Sequence, residues 1–514
     1  MVQLRSNTPQ TNFNESLDDD NLVLSKSSPM ALMALFAISL ISFLLSMYYL
    51  LFVNRIDSNW SQVMFSAFIV WTVIYLFSTR SAKKSYFLIS SALILALSVF
   101  HISHVGLQAL GVYDFALLKD VEMGIWYQRA GWLFMLSVSS FGIGMSFTGG
   151  VTVYDSKKLY ETESAQLGRS MCWWYGVGLF MASMLALLML FYTVGNIFVY
   201  SRSEIFGGVG DTRGFGLFQM FFPSSMILLM LGASTKKQRY ATYILLIVFG
   251  LGILLMGYRS LVMFPILIGT ILWVKAGRDL NKTVIVPGLI FLIIAIPTVR
   301  YLRTLGSYDS LSSTDVSSSL DQAKIDDIFI ELGTTSNIVA YVLKWVPEEE
   351  DYRYGYTYWL SIKNTLPNIG SDISSSSRSI IKDSSVDITK LSASDWFIYR
   401  FNKWMFDTGG GSGFSMIAEP YLNFGLPGVI VFFILLGFII GKLDSISLLH
   451  RPTVLLLSAA IMWPLIKGVR NDFTTFLKPA SFILIVFLIW KLSTFWKKYK
   501  ASKKLKNTDG RIEL

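Results

Sequence analysis

Residues 254–267 read LLMGYRSLVMFPIL, a stretch in which one arginine, Arg259, separates two apolar runs. The runs extend from Tyr243 to Met256 and from Leu261 to Val274. This pattern predicts two membrane helices joined by a short turn that carries Arg259. A guanidinium at the edge of hydrocarbon is costly unless it is paired, hydrated or able to reach the headgroups, so Arg259 is a candidate binding residue for an anion. The alternative is an arginine whose side chain only reaches the lipid headgroups.

Apolar runs of similar length recur along most of the chain. Of its 514 residues, 53% are hydrophobic and only 15% are charged. Since a helix needs about 20 mostly apolar residues to cross the hydrocarbon core, we expect an all-α polytopic membrane protein with about twelve transmembrane helices. The sequence places these helices at approximately residues 30–53, 61–78, 86–105, 131–149, 171–194, 215–234, 240–256, 260–275, 283–300, 419–441, 452–469 and 478–496.

Lysine and arginine are concentrated in alternate connections between the predicted helices. Positively charged loops stay in the cytoplasm, which predicts that both termini are cytoplasmic and that the turn at Arg259 lies on the outer side. The net charge of +10 follows from this bias, so no nucleic-acid partner is expected. The basic loops are those with Arg80, Lys83 and Lys84; Lys157, Lys158 and Arg169; Lys236, Lys237 and Arg239; Lys275, Arg278 and Lys282; and Lys442 and Arg451.

The predicted helices divide the chain into five parts. Residues 1–29 are polar and are expected to form a disordered cytoplasmic tail, whereas 497–514 form a basic cytoplasmic tail that suits anionic membrane lipids. Residues 30–300 form a bundle of about nine helices, and 419–496 form the last three. The interruption at 301–418 is too long for an ordinary connection, so we expect a folded extracytoplasmic segment whose helices cap the bundle. Cys172 is the single cysteine, which excludes a disulfide framework.

A carboxylate and two polar side chains mark the start of the tenth predicted helix. Residues 409–428 read GGGSGFSMIAEPYLNFGLPG, and Glu419 stands where this stretch meets the membrane. Glu419 is either a functional acid or an acid that only stabilises the helix N-terminus. Tyr421 and Asn423 beside it, and Tyr258 beside Arg259, are candidate contacts for the uncharged part of a ligand.

Further arginines gather near the same outer face, where the positive-inside rule disfavours them. Arg213 lies in GDTRGFGLF, Arg470 lies beside Asp472 in VRNDF, and Arg300 and Arg303 begin the extracytoplasmic segment. A guanidinium donates two parallel hydrogen bonds to a phosphate and stays charged, so these arginines predict an anionic ligand. The alternative is that some of them pair with nearby acids and only hold the bundle together.

Three stretches carry these residues: the GYRS turn with Arg259, the AEPYLNFGLPG stretch with Glu419 and the RNDF turn with Arg470 and Asp472. Together with about twelve spans and a large segment before the last three, they resemble the Wzy-type O-antigen and exopolysaccharide repeat-unit polymerases of bacterial inner membranes. The resemblance covers most of the chain. It implies a GT-C-like membrane glycosyltransferase, with the 301–418 segment in the periplasm.

The resemblance also implies roles for the site residues. Undecaprenyl pyrophosphate would be the carrier and the leaving group, bound by the five arginines at the membrane face. A carboxylate would accept the proton of the attacking sugar hydroxyl, with Glu419 the first candidate and Asp472 the second. A flippase and a chain-length regulator would be partners, and no metal or organic cofactor is expected.

Two other classes remain open at this stage. An O-antigen ligase uses the same donor, but that resemblance would require a histidine in the large outer segment, and His101, His104 and His450 all lie elsewhere. A lipid-linked oligosaccharide flippase or other transporter would carry charges in the middle of several spans and often internal repeats. The conspicuous charges here cluster at one face instead.

Overall fold

The computed structural model describes residues 23–79, 88–113, 115, 120, 122–148, 152–154, 162–194, 213–255, 258, 260–275, 325–365, 387–407, 410–446 and 451–509. Before residue 301 the elements are β1 Val23–Lys26, α1 Pro29–Phe52, α2 Trp60–Thr79, α3 Ile89–His101, α4 Ser103–Ala109, α5 Gly124–Ser146, β2 Thr152–Tyr154, α6 Glu163–Val194, α7 Arg213–Gly232, α8 Lys236–Leu255 and α9 Ser260–Lys275. Residues 301–418, named the outer segment for the side on which the sequence predicts them, contain α10 Ile325–Leu332, α11 Thr335–Trp345, α12 Tyr356–Thr365, a 3-10 turn at Ile388–Lys390, α13 Ala393–Phe401 and α14 Lys403–Asp407. The last helices are α15 Ala418–Ser445, α16 Pro452–Gly468 and α17 Phe473–Asp509.

The helices lie where hydrophobic periodicity predicts them. The predicted helix at 283–300 falls outside the described residues. The prediction of one helix over 86–105 is wrong in detail, because α3 and α4 are bent by 69° at Ile102. In the outer segment, helices also occur at the aromatic and aliphatic stripes of the sequence.

A short antiparallel ladder departs from the all-α prediction. Strand β1 pairs with β2, with Ser25 opposite Val153 and Lys26 opposite Thr152. The strand β1 belongs to the 1–29 stretch for which the sequence predicts disorder. Helix α1 follows at once, since Pro29 fits its first turn and the Ser28 hydroxyl accepts a hydrogen bond from the Ala31 N–H at 3.1 Å.

The described helices are those of a polytopic membrane protein. Five are long and apolar enough to cross a membrane, or six if the bent pair α3 and α4 forms one span. The five are α1, α2, α6, α15 and the apolar part of α17. Three further apolar helices, within α7, α9 and α16, are shorter than the usual length of about 20 residues.

Helix α5 forms the centre of the bundle and is buried along most of its length. Two glycines let it approach α15 closely. A Cβ atom on Gly144 would overlap the carbonyl oxygen of Ile434, and one on Gly437 would overlap that of Phe141. Small residues of this kind bring membrane helices into backbone contact. The contact fixes α15 and therefore the position of Glu419 at its start.

Helix α15 is broken near its beginning, at Gly425, where φ is 64° and ψ is −152°. A loop of the outer segment occupies the break. The Arg353 and Tyr354 N–H groups donate to the carbonyls of Leu422 and Asn423, both at 2.9 Å. The break therefore anchors the outer segment directly to a membrane helix.

Candidate functional site

The described residues line an open cavity of about 320 Å³ between α7, α12, α13, α16 and α17. Both acids and bases contribute to its wall, together with a row of hydroxyl and amide groups. The lining residues are Gly216, Gln219, Met220, Asn364, Ser392, Ser394, Asp395, Trp463, Lys467, Asp472, Thr474, Thr475, Lys478 and Pro479. The wall therefore offers hydrogen-bonding and charged groups to a ligand beside apolar side chains such as Met220 and Trp463.

Asp472 is the acid of the cavity wall that the sequence singles out, and it lies in the turn between α16 and α17. Its side chain is 6% exposed, and Oδ2 accepts a hydrogen bond from the Ser394 hydroxyl at 2.7 Å. Oδ1 accepts from the N–H and the hydroxyl of Thr475, at 3.3 and 3.2 Å. Burial raises the pKa of the Asp472 carboxyl above its ordinary value, and the hydrogen bonds from Ser394 and Thr475 oppose that rise. A carboxylate with a raised pKa is a better proton acceptor than an ordinary aspartate.

Two lysines in the wall were missed by the sequence analysis, which considered only arginines. Lys467 lies in the last turn of α16, with its ammonium 5.4 Å from the ring centroid of Trp463. Lys478 lies in the second turn of α17. A signal for both was available, since each lies within a few residues of the VRNDF turn, which the charge pattern predicts to be on the outer side, where basic residues are disfavoured. Beside Asp472, these ammonium groups make the cavity able to hold an anion.

Glu419, the other predicted acid, lies in α15 and forms hydrogen bonds with α12 and α17. It is 3% exposed and does not belong to the cavity lining. One carboxylate oxygen accepts from the Thr357 hydroxyl at 2.8 Å, and the other accepts from the Phe473 N–H at 2.6 Å. Glu419 therefore holds the peptide that follows Asp472 and links α12, α15 and α17.

The family of the chain follows from comparison with known proteins. The sequence profile of the family "O-antigen polysaccharide polymerase Wzy" matches residues 33–500. The chain belongs to this family. It is also similar to Protein CapE of Staphylococcus aureus, with 24% identity over 245 residues, which are 47% of this chain and 48% of CapE. The match thus spans about half the length of that relative, and no solved structure matches the chain.

The uncharged side chains that the sequence singled out as candidate ligand contacts are buried within the protein. Asn423 is fully buried, and its amide donates to the Thr357 hydroxyl at 2.7 Å and to the Glu419 carbonyl at 2.8 Å. The Tyr421 hydroxyl donates to the carbonyl of Val346 at 3.3 Å. Tyr258 is also buried, just before α9. The structure brings Asn423 and Glu419 together but does not place these side chains on the cavity wall.

The arginines predicted for the Wzy diphosphate site are only partly described. The guanidinium carbon of Arg470 lies 5.9 Å from the ring centroid of Phe100, and the Arg470 carbonyl accepts from the Phe414 N–H at 3.1 Å. The preceding Gly413 has φ 78°, and a Cβ there would lie 2.6 Å from that carbonyl oxygen. Arg213 begins α7, the helix that contributes Gly216 and Gln219 to the cavity. The structure describes the backbone of Arg213 but not its side chain. Three further arginines lie outside the described residues: Arg259, Arg300 and Arg303.

Within the described ranges, His, Cys, Asp and Glu side chains do not form a group of three or more that would hold a metal ion. In this part of the chain, the charged side chains that line the cavity are the carboxylates of Asp395 and Asp472 and the ammonium groups of Lys467 and Lys478. These groups can accept a proton and bind an anion.

Proposed function

We propose that this Wzy-family protein is a membrane glycosyltransferase that polymerises lipid-linked oligosaccharide repeat units into O-antigen or a related surface polysaccharide. The observation that carries the proposal is the cavity whose wall contains Asp472 together with Asp395, Lys467 and Lys478. Polymerisation needs a proton acceptor and cations near one another, because a hydroxyl loses a proton while a diphosphate leaves.

The proposed step transfers the growing chain from one carrier to the next repeat unit. The hydroxyl oxygen of the acceptor sugar forms a bond to the anomeric carbon of the donor chain. The bond between that carbon and the carrier phosphate breaks, and its electron pair leaves with undecaprenyl pyrophosphate. The carboxylate of Asp472 takes the hydroxyl proton. Lys467 and Lys478 stabilise the negative charge that develops on the phosphate oxygens.

The arginines are proposed to bind the two carrier diphosphates at the rim of this site. Arg470 belongs to the same turn as Asp472, and Arg213 begins a helix of the cavity wall. Arg259, Arg300 and Arg303 complete the proposed set on the evidence of the sequence alone. Asn423 and Tyr421 bond instead to Thr357, Glu419 and Val346 within the protein, and Tyr258 is buried, so we assign none of the three a contact with the sugar.

The finer placement belongs to the same proposal. The chain crosses the inner membrane about twelve times in a GT-C-like arrangement, with both termini in the cytoplasm and the site facing the periplasm. It works beside a flippase, which delivers the repeat units, and a chain-length regulator.

Reconstitution tests the activity directly. The purified full chain in lipid nanodiscs is given the undecaprenyl-diphosphate-linked repeat unit isolated from a strain that lacks this protein. We expect a ladder of polymers on the carrier, together with one released undecaprenyl pyrophosphate per added unit. A protein that leaves the single units unchanged, or transfers them only to an added lipopolysaccharide core, would contradict the proposal, the second outcome indicating a ligase.

A further inference from the structure

We propose that α12 is an interfacial helix whose outward face lies among the lipid headgroups of the membrane leaflet in which α15 begins. The placement is independent of the reaction. Only its consequence for the cavity rests on the proposed function.

The two faces of α12 differ in what they contact. On the inner face, the Thr357 hydroxyl donates to Glu419, and the hydroxyls of Ser361 and Thr474 lie 2.8 Å apart. On the outer face, Trp359 is 60% exposed and Ile362 is 46% exposed. A helix of ten residues that is bonded on one side and carries large apolar groups on the other is amphipathic.

Contacts with α15 fix the depth of α12. The residues just before α12 donate hydrogen bonds to the carbonyls of Leu422 and Asn423, within the first two turns of α15. The Tyr358 ring stacks on Phe424 with centroids 6.4 Å apart. Phe424 is 46% exposed, and beyond the Gly425 break α15 carries further exposed apolar side chains at Val431, Leu435, Phe438 and Ile439.

These exposed side chains identify the surroundings of α12. Because α15 is a candidate span, they face lipid, and the Tyr358–Phe424 contact places α12 beside them at the end where α15 begins. Tryptophan and tyrosine concentrate where hydrocarbon meets water, and Trp359 is joined there by Tyr354, which is 74% exposed. Lys363 on the same helix can extend its ammonium to phosphate groups. The chemistry matches a lipid surface better than water.

The placement also sets the depth of the cavity. α12 contributes Asn364 to the cavity wall, and its Ser361 holds Thr474, another lining residue. If α12 rests among the headgroups, these lining residues lie at the depth of the phospholipid phosphates. A lipid-linked diphosphate lies at the same depth, so it can enter the cavity without leaving the bilayer.

Site-directed spin labelling tests the placement. Cys172 is replaced with alanine, and single cysteines are introduced as Trp359→Cys, Ile362→Cys and Tyr354→Cys in the full chain in nanodiscs. Glu348→Cys, at an exposed acid of the outer segment, is the matched control for water, and Phe438→Cys is the control for hydrocarbon. Oxygen, which partitions into lipid, and a charged nickel chelate, which stays in water, report the surroundings of each nitroxide.

We expect the ratio of oxygen to nickel accessibility at 359 and 362 to be several-fold higher than at 348 and lower than at 438. A ratio at 359 and 362 equal to that at 348 would overturn the proposal. Protection from both reagents would also overturn it, because the face would then be covered by protein. The third label at 354 decides the matter if one of the other variants does not fold. Since no readout uses activity, failure of this proposal and failure of the polymerase proposal are distinguishable.

Discussion

Replacing Asp472 with asparagine separates the chemistry of the carboxylate from its structural contacts. The amide oxygen still accepts from the Thr475 N–H, and the amide nitrogen can donate to the Ser394 oxygen, so the fold is retained. A general base contributes about 10²–10⁴ to a rate, and we expect a loss of that order in polymer formation. Rates are measured at matched protein levels beside Glu348→Gln, an exposed acid. A rate for Asp472→Asn close to that of Glu348→Gln would exclude Asp472 as the base.

The pH dependence of the rate tests Asp472 a second time, through a substitution of its hydrogen-bond partner Ser394. Asp472 acts only when unprotonated, and burial raises its pKa, so the rate should rise with pH through a value above that of an ordinary aspartate. The Ser394 hydroxyl stabilises the charged form. Ser394→Ala should therefore raise the pKa of Asp472 further and move the acidic limb of the rate profile to higher pH. An acidic limb that stays in place, or moves to lower pH, would contradict this assignment.

Glu419 offers a contrast, because its contacts predict a positioning role. Glu419→Ala leaves the Phe473 N–H and the Thr357 hydroxyl without their acceptor, at a cost of about 1–3 kcal/mol in folding free energy for each group that stays unsatisfied. Glu419→Gln keeps an acceptor for Phe473 and a donor for Thr357. We expect a lower Tm for the alanine variant and near-normal polymerisation by the glutamine variant. A stable glutamine variant as inactive as Asp472→Asn would make Glu419 the base instead.

At the scale of single residues, the sequence was informative about residue types and less so about their surroundings. The RNDF turn drew attention to Asp472, which lies in the cavity wall. It did not reveal Lys467 and Lys478, because they enter the same cavity from two helices whose packing no local pattern specifies. Asn423 has the expected residue type but a different role. Its side-chain oxygen accepts a hydrogen bond from the Gly355 N–H of a distant loop, and its amide nitrogen donates to the Glu419 carbonyl.

Among the elements, the contact between α5 and α15 depends on two glycines and can be tested by adding one methyl group. Gly144→Ala places a Cβ against the Ile434 carbonyl and forces the helices apart, which we expect to cost about 1–3 kcal/mol. Gly178 on α6 is the matched control, since a Cβ there meets no atom within 4 Å. Gly178→Ala should leave stability unchanged or raise it by about 0.5–1 kcal/mol. Equal Tm values for the two variants would refute the close contact.

Helix positions were predictable because apolar length and period are local properties. The 69° bend between α3 and α4 and the ladder of β1 with β2 were not predictable in this way. The Gly425 break illustrates the reason. Glycine and Pro427 permit a break, but the carbonyls it frees are bonded by Arg353 and Tyr354, about 70 residues earlier in the chain.

For the whole molecule, the number of crossings depends on the short helices. α9 has 16 residues and α16 has 17, below the length that crosses hydrocarbon without adjustment. Both are buried against neighbouring helices, and bilayer thinning or the reach of flanking basic residues accommodates such a mismatch. The charge pattern that motivates about twelve spans is therefore compatible with helices shorter than a full span.

Cysteine labelling tests the orientation of the whole chain. In a Cys172→Ala background, Lys237→Cys lies at the start of α8 and Glu348→Cys lies in the outer segment, and both parent residues are exposed. The positive-inside rule assigns the Lys236–Arg239 turn to the cytoplasm, so the cysteine at 348 should react with an impermeant thiol reagent in intact spheroplasts. The cysteine at 237 should react only after the membrane is opened, which also controls for its intrinsic reactivity. Labelling of 237 but not of 348 in intact spheroplasts would invert the topology, and the cavity of Asp472 would then face the cytoplasm.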